Sequence, residues 1–312
     1  MAGDKKQVQA QDLKIEGSTE QSYVSIEGLR IRLAKPLEFN FEWVGNDKVV
    51  NQLRSSWYST GKNDPPMSPR LVGKPGVGKT VLAYAAAKML EIPVYFFQAT
   101  SDTTPNDVLI TPVVIETGKD SSRVEYVASS LVTAVLTGGA IVFDEGNRMQ
   151  EKAWASLAPL LDSRRYVESV TAGVVIKAHP EFRFVSTMND DASCFDLPEY
   201  IQSRLQPQIY IEFPPRDEER QILEANLPVV SPSVLDYVTD FLQNAHQDDQ
   251  RYSVREGIHI ANYASKFQRY EEENGRHVTP GQAVLLAVER VLGVRETRYI
   301  KQVIWREEEA SA

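Results

Sequence analysis

Between residues 70 and 213 the apolar positions switch repeatedly between two periods. Segments rich in apolar residues at 70–72, 93–97, 140–143, 182–187 and 208–213 predict strands. The unbroken run at 140–143 predicts a strand buried on both faces. Stretches with helical spacing lie between them. Residues 79–90 are rich in alanine, the strongest helix former. Residues 129–137 end at Gly138, which suits a helix C-terminus. Residues 150–161 are amphipathic, and Thr104 before Pro105 marks a further helix start. Two patterns predict hairpins: 112–115 with 123–127 around Gly118, Lys119 and Asp120, and 166–178 with Gly173 near its bend. Residues 23–33 alternate loosely around Gly28, as a short hairpin or edge strand would. Residues 49–57 have helical spacing, and 63–66 form a turn-rich break. Tyr95, Phe96 and Phe97 are expected in the core. Beyond Pro214 and Pro215 the pattern is helical throughout, at 217–227, 232–244, 253–270 and 280–292. Thr279 before Pro280 is a suitable N-cap.

Alternating β and α elements predict a mainly parallel sheet with helices on both faces. The expected organisation is a flexible tail over 1–22, an α/β domain over 23–213 and a helical domain over 214–312, with 306–312 a second tail. The length of 312 residues suits two domains. With 42% hydrophobic and 25% charged residues, wholesale disorder is excluded. The net charge of -9 argues against non-specific binding to nucleic acid or an anionic membrane. The single cysteine, Cys194, allows no internal disulfide and no multi-cysteine zinc site, and predicts a reducing compartment. No run approaches the ~18 apolar residues of a membrane span. The first residues lack the apolar middle of a signal peptide. The expectation is a soluble, cytoplasmic protein. His179, His246, His259 and His277 are scattered without metal-ligand spacing.

Three motifs carry chemistry. Gly73, Lys74, Pro75, Gly76, Val77, Gly78, Lys79 and Thr80 fit the phosphate loop G-x-x-x-x-G-K-[ST]. Its glycines let backbone N–H groups converge on phosphate oxygens, and the following helix aims its positive end at the same anion. Lys79 would reach the β- and γ-phosphates, and Thr80 would offer its hydroxyl to Mg²⁺. Asp144 and Glu145 end the buried run Ile141, Val142, Phe143, where open α/β sheets place ligands. Asp144 would hold Mg²⁺, and Glu145 would polarise the attacking water. Asn189, ending the strand over 182–187, would lie between the two motif strands and hold that water. Alone, it reads more readily as a turn residue than as a functional one; its order after the other two motifs favours function.

These residues resemble the AAA+ ATPases, and most closely their MoxR branch. The resemblance runs from about Phe41 to the C-terminal helices. It includes Gly138 to Arg148, an acidic pair followed by Asn147 and Arg148, and two hairpins where that branch carries insertions. It implies a five-stranded parallel sheet with a helical lid, ATP and Mg²⁺ as ligands, and sensor 1 at Asn189. It also implies an arginine finger at Arg204, sensor 2 at Arg255, and an adenine-wrapping segment at Val44 and Gly45. Gly146 departs from the branch, which has an apolar residue after the acidic pair. Arg164 and Arg165 add a second possible trans-acting pair. Pro69 cannot donate within a sheet ladder, so the strand over 70–72 is expected to start after it.

The resemblance implies an ATP-hydrolysing remodelling enzyme of chaperone type, working on protein partners as a homo-oligomeric ring of hexameric size. A protein with a von Willebrand factor A domain is the expected partner class. The alternative is a nucleic-acid motor or restriction-type NTPase, with Lys119, Arg123 and Lys177 available to a phosphate backbone. A third reading is a nucleotide-gated scaffold with little turnover. Glu145 and Arg204 together speak against it. No Asn-Lys-x-Asp guanine motif occurs, so adenine is favoured over guanine.

Overall fold

The computed structural model describes residues 7–17, 21–39, 43–45, 47–61, 64–118, 121–190 and 196–311. Its strands are β1 (Gln7–Gln9), β2 (Ile15–Gly17), β3 (Ser22–Ile26), β4 (Leu29–Arg32), β5 (Arg70–Gly73), β6 (Val94–Gln98), β7 (Ile110–Gly118), β8 (Ser121–Ala128), β9 (Ala140–Asp144), β10 (Tyr166–Ser169), β11 (Val174–Lys177), β12 (Arg183–Asn189) and β13 (Gln208–Ile211). Its helices are α1 (Asp47–Ser56), α2 (Lys79–Lys88), α3 (Pro105–Val108), α4 (Ser130–Thr137), α5 (Glu151–Leu157), α6 (Glu199–Gln202), α7 (Arg216–Asn226), α8 (Pro232–Gln247), α9 (Val254–Glu273), α10 (Pro280–Val291) and α11 (Thr297–Ser311). The chain forms two compact units. One comprises Met1–Glu42, Lys48–Gly73 and Lys79–Tyr210; the other comprises Trp43–Asp47, Lys74–Gly78 and Ile211–Ala312.

The first unit is built on a five-stranded sheet of order β13-β5-β12-β9-β6. β12 pairs in parallel with β5 on one side and β9 on the other, and β6 runs parallel to β9. Ala140, Ile141, Val142 and Phe143 are all buried, so β9 needs no polar alternation. Phe143 stacks on Phe97 at 5.0 Å and Phe184 at 5.8 Å, with Trp154 tilted against it at 5.4 Å. Tyr95 is buried and Phe96 meets Phe39 edge-on, so the aromatic run is core material. The order β5-β12-β9 brings the C-terminal ends of three parallel strands side by side.

Both expected hairpins form, β7 with β8 and β10 with β11. The expected tail over 1–22 is corrected in part. β1 pairs in parallel with β11, Val8 facing Ile176, and β2 pairs with β3. β4 in turn lies parallel to β8, which makes a second five-stranded sheet of order β2-β3-β4-β8-β7. Three-residue strands show no usable period, and the partner of β1 lies more than 160 residues along the chain, so nothing local announces it. Residues 306–311, expected as a second tail, continue α11. Tyr299, Ile300 and Val303 bury one face of that helix, and its polar end follows. Cys194, Lys119 and Phe41 lie outside the described residues. Among the described residues no helix is long and apolar enough to cross a membrane.

The second unit packs α7 to α11 around Leu223, Val234, Phe241, Leu242, Ile260, Ala287 and Ile300. Ser253 with Glu256 and Thr279 with Gln282 form capping boxes that start α9 and α10. Glu219 is fully buried in α7. Its Oε2 accepts a 2.8 Å bond from Gln243, and its Oε1 has no partner among the described residues. Burial pushes its carboxyl up to about 7. The folded state therefore holds this proton more tightly than the unfolded chain, and stability falls as pH rises from 4.5 through 7. Glu219→Gln should flatten that slope and raise stability at pH 8 by about 2–3 kcal/mol. Thermal unfolding of both proteins at pH 5 and pH 8 measures it; equal slopes would contradict the assignment.

Candidate functional site

Residues 73–80 turn the chain from β5 into α2. Gly76 and Gly78 adopt φ of +78° and +90°, which favour glycine. A Cβ on Gly76 would also lie 2.0 Å from Oγ of Ser253, the residue that caps α9. Pro75 and Val77 flank Gly76 in this turn. The first N–H groups of α2 have no partner within the helix, so its positive end is available to an anion. Lys79 is buried, and its Nζ donates to the carbonyl of Gly73 at 2.9 Å.

The side chains at the C-terminal strand ends interlock. Thr80 Oγ1 donates to Asp144 Oδ1 at 2.8 Å. Thr187 Oγ1 donates to the same carboxylate oxygen and accepts the N–H of Glu145 at 3.2 Å. A hydroxyl touching a carboxylate supplies the hard oxygen donors that Mg²⁺ takes, so this pair fits that ion.

Glu145 has a φ of +53°, an unfavourable conformation for a side-chain-bearing residue. Its carboxylate is held from three directions. Asn189 Nδ2 donates at 3.2 Å, Gln98 Nε2 at 2.8 Å, and Arg148 Nε lies 3.1 Å away. Asn147 Nδ2 donates to the carbonyl of Asn189 at 2.8 Å, which braces the end of β12. The unusual Gly146 has a steric cause. A Cβ there would lie 2.4 Å from Ser186 Oγ and 3.0 Å from the Trp154 ring, whose Nε1 donates to Gly146's carbonyl at 3.1 Å.

Lys79, Thr80, Asp144, Glu145 and Asn189 thus share one end of the sheet. Arg204 forms no ion pair with Asp144 or Glu145. Its Nε bonds Asp162 at 3.1 Å and its Nη1 the carbonyl of Tyr200 at 2.6 Å. Arg255 lies in the second unit, where it opens α9 beside Gly76. It is exposed and makes no ion pair among the described residues, since Glu256 is engaged by Ser253. Gly45 is in the same unit, and a Cβ on it would lie 2.8 Å from the Trp43 ring. Trp43 also backs Gly78, and its buried indole N–H has no partner among the described residues.

Sequence reasoning assigned no role to Gln98, Thr187 or Trp43. Gln98 and Thr187 are polar residues near the C-terminal ends of strands, the one signal that could have found them. Trp43 carries no such signal.

Residues 70–205 match the family model described as the AAA domain of the dynein-related subfamily. Uncharacterised proteins of Staphylococcus aureus, from strains USA300 and MW2 among others, are 25% identical over 120 residues, covering 38% of this chain and 46% of theirs. The chain therefore spans about half the length of these curated relatives. Two Thermotoga maritima RuvB structures share the fold. A point mutant of RuvB superposes with a TM-score of 0.54 at 16% identity, covering 80% of this chain and 71% of that one. The structure described as the RuvB Holliday junction branch migration motor gives 0.52 at 13%, covering 79% and 69%. The chain has the P-loop AAA+ fold, an α/β sheet domain with helices following it.

Proposed function

We propose that this chain is a Mg²⁺-dependent ATPase of the MoxR-like AAA+ kind, which assembles as a hexameric ring and remodels a protein partner. The observation that carries this reading is the convergence of Lys79, Thr80, Asp144, Glu145 and Asn189 at adjacent strand ends. Lys79 and the N–H groups of the phosphate loop bind the phosphates. Thr80 and Asp144 would hold Mg²⁺, which when bound would neutralise phosphate charge. Asn189 orients the lytic water, and Glu145 takes its proton as the water oxygen bonds to the γ-phosphorus. The bond to the bridging oxygen breaks, and ADP leaves with that electron pair. Arg255 senses γ-phosphate within its own chain, and Arg204 reaches the nucleotide of a neighbour. The Trp43 N–H, which has no partner among the described residues, is a donor of the kind an adenine nucleotide would satisfy.

Lys79→Ala should weaken binding of Mg-ATP by about 100-fold or more, since it removes a charge-assisted contact to two phosphates. Calorimetry on both proteins tests this. No heat from the natural protein with any purine triphosphate would end the proposal.

The net charge of -9 favours a protein partner, and a von Willebrand factor A domain protein is the first class to try. The competing reading, a nucleic-acid motor, draws on the exposed Arg123 of β8 and the fold shared with RuvB. Hydrolysis stimulated by DNA with a steep salt dependence would favour it.

A further inference from the structure

We infer that Asp162 is a positioning residue which presents Arg164 together with Arg204 as a paired cation site for the triphosphate bound by a second copy of this chain. The inference rests on the proposed role of Arg204 and adds two residues to it. Asp162 is fixed first by its own turn: its Oδ1 accepts the backbone N–H of Arg164 at 3.0 Å. The carboxylate then takes Arg164 in a fork, Nε to Oδ1 at 3.0 Å and Nη2 to Oδ2 at 2.8 Å. Oδ2 also accepts Arg204 Nε at 3.1 Å. One carboxylate thus aligns two planar guanidiniums that lie 40 residues apart in sequence.

The charge count points outward. One anion cannot neutralise two cations, so the cluster keeps a net positive charge at a partly exposed surface. A stabilising surface ion pair would need only one arginine, and such pairs contribute little. Two forked guanidiniums suit an oxyanion such as phosphate. Hydrogen bonds from Arg164 lower the Asp162 carboxyl to about 2, so the clamp stays ionised at any working pH.

That anion belongs to another molecule. The carbonyls of Gln202 and Leu205, which flank Arg204, are held by Arg70 Nη1 at 2.8 and 2.9 Å. Arg70 is the first residue of β5, and the phosphate loop opens at its last, Gly73, about 10 Å further along a strand. The finger segment is therefore braced at the opposite end of β5 from the loop. Arg165, the other member of the sequence-predicted pair, is excluded. It is turned inward, and its guanidinium donates to the carbonyls of Pro66 and Phe182 at 3.2 and 2.9 Å.

The test uses the full chain with Mg-ATP. Asp162→Asn should lower kcat by about 10- to 100-fold, the scale of a misplaced catalytic group, with ATP affinity unchanged. Asp162→Glu should recover part of the loss. Arg164→Ala, an exposed substitution that spares the fold, should show the same split. Mixing Asp162→Asn with Glu145→Gln subunits should restore turnover, because the second subunit offers an intact clamp to the first one's nucleotide. Full kcat in both Asp162→Asn and Arg164→Ala, while Arg204→Ala is impaired, would overturn the positioning role alone. Loss in Asp162→Asn without rescue on mixing would also overturn it. Full turnover in Arg204→Ala would remove the arginine finger and this inference with it.

Discussion

Glu145→Gln should lower kcat by about 10²–10⁴-fold, the range for loss of a general base, and leave ATP affinity unchanged. Glutamine keeps the length and most of the hydrogen-bonding capacity of the side chain. It can still accept from Gln98 or Asn189, which hold the carboxylate at 2.8 and 3.2 Å. The φ of +53° is a backbone property fixed by the Glu145 N–H bond to Thr187, and that bond survives the change. Only the ability to take a proton from water is lost. Asp144, Thr80 and Lys79 keep their partners, so binding persists while turnover stops. Phosphate release and equilibrium ATP binding, measured on one preparation, separate the two effects. Retained turnover would take Glu145 out of the mechanism.

The parts of this site visible in the sequence are those with fixed local spacing. The phosphate loop is eight consecutive residues, and the acidic pair closes an apolar run whose burial follows from its composition. Asn189 became legible through its order after those motifs, and the pairing of Asn189 with Gly73 in β12 and β5 accounts for its position. Gln98 was not legible, because its meaning depends on register: it faces Asp144 across β6 and β9, which places it against the next residue, Glu145. Asp162 was hidden for a similar reason, since its two arginines come from separate segments. β1 was unreadable because its partner β11 belongs to a hairpin far along the chain, and β2, although it pairs with nearby β3, is too short to show a period. Gly146 looked like an irregularity until Trp154 and Ser186 were seen to fill the space of a side chain.

Arg204→Ala should leave ATP binding intact and lower hydrolysis by about 10³-fold or more, the effect expected if the proposed arginine finger is lost. The guanidinium makes its ion pair with Asp162 rather than with the acidic pair, so the nucleotide-binding end of its own sheet is undisturbed by the change. Loss of the group removes charge stabilisation that is needed only as the γ-phosphoryl group separates, which affects kcat and not affinity. If the finger serves a neighbour, hydrolysis by the natural protein rises more than linearly with protein concentration until assembly is complete. Mixtures make the same point without dilution. Arg204→Ala subunits supply intact Glu145, Glu145→Gln subunits supply intact Arg204, and each is inactive alone. Together they form junctions with one complete set, so activity returns and peaks at intermediate ratios. Flat, inactive mixtures at every ratio would mean that Arg204 acts within its own chain or not at all.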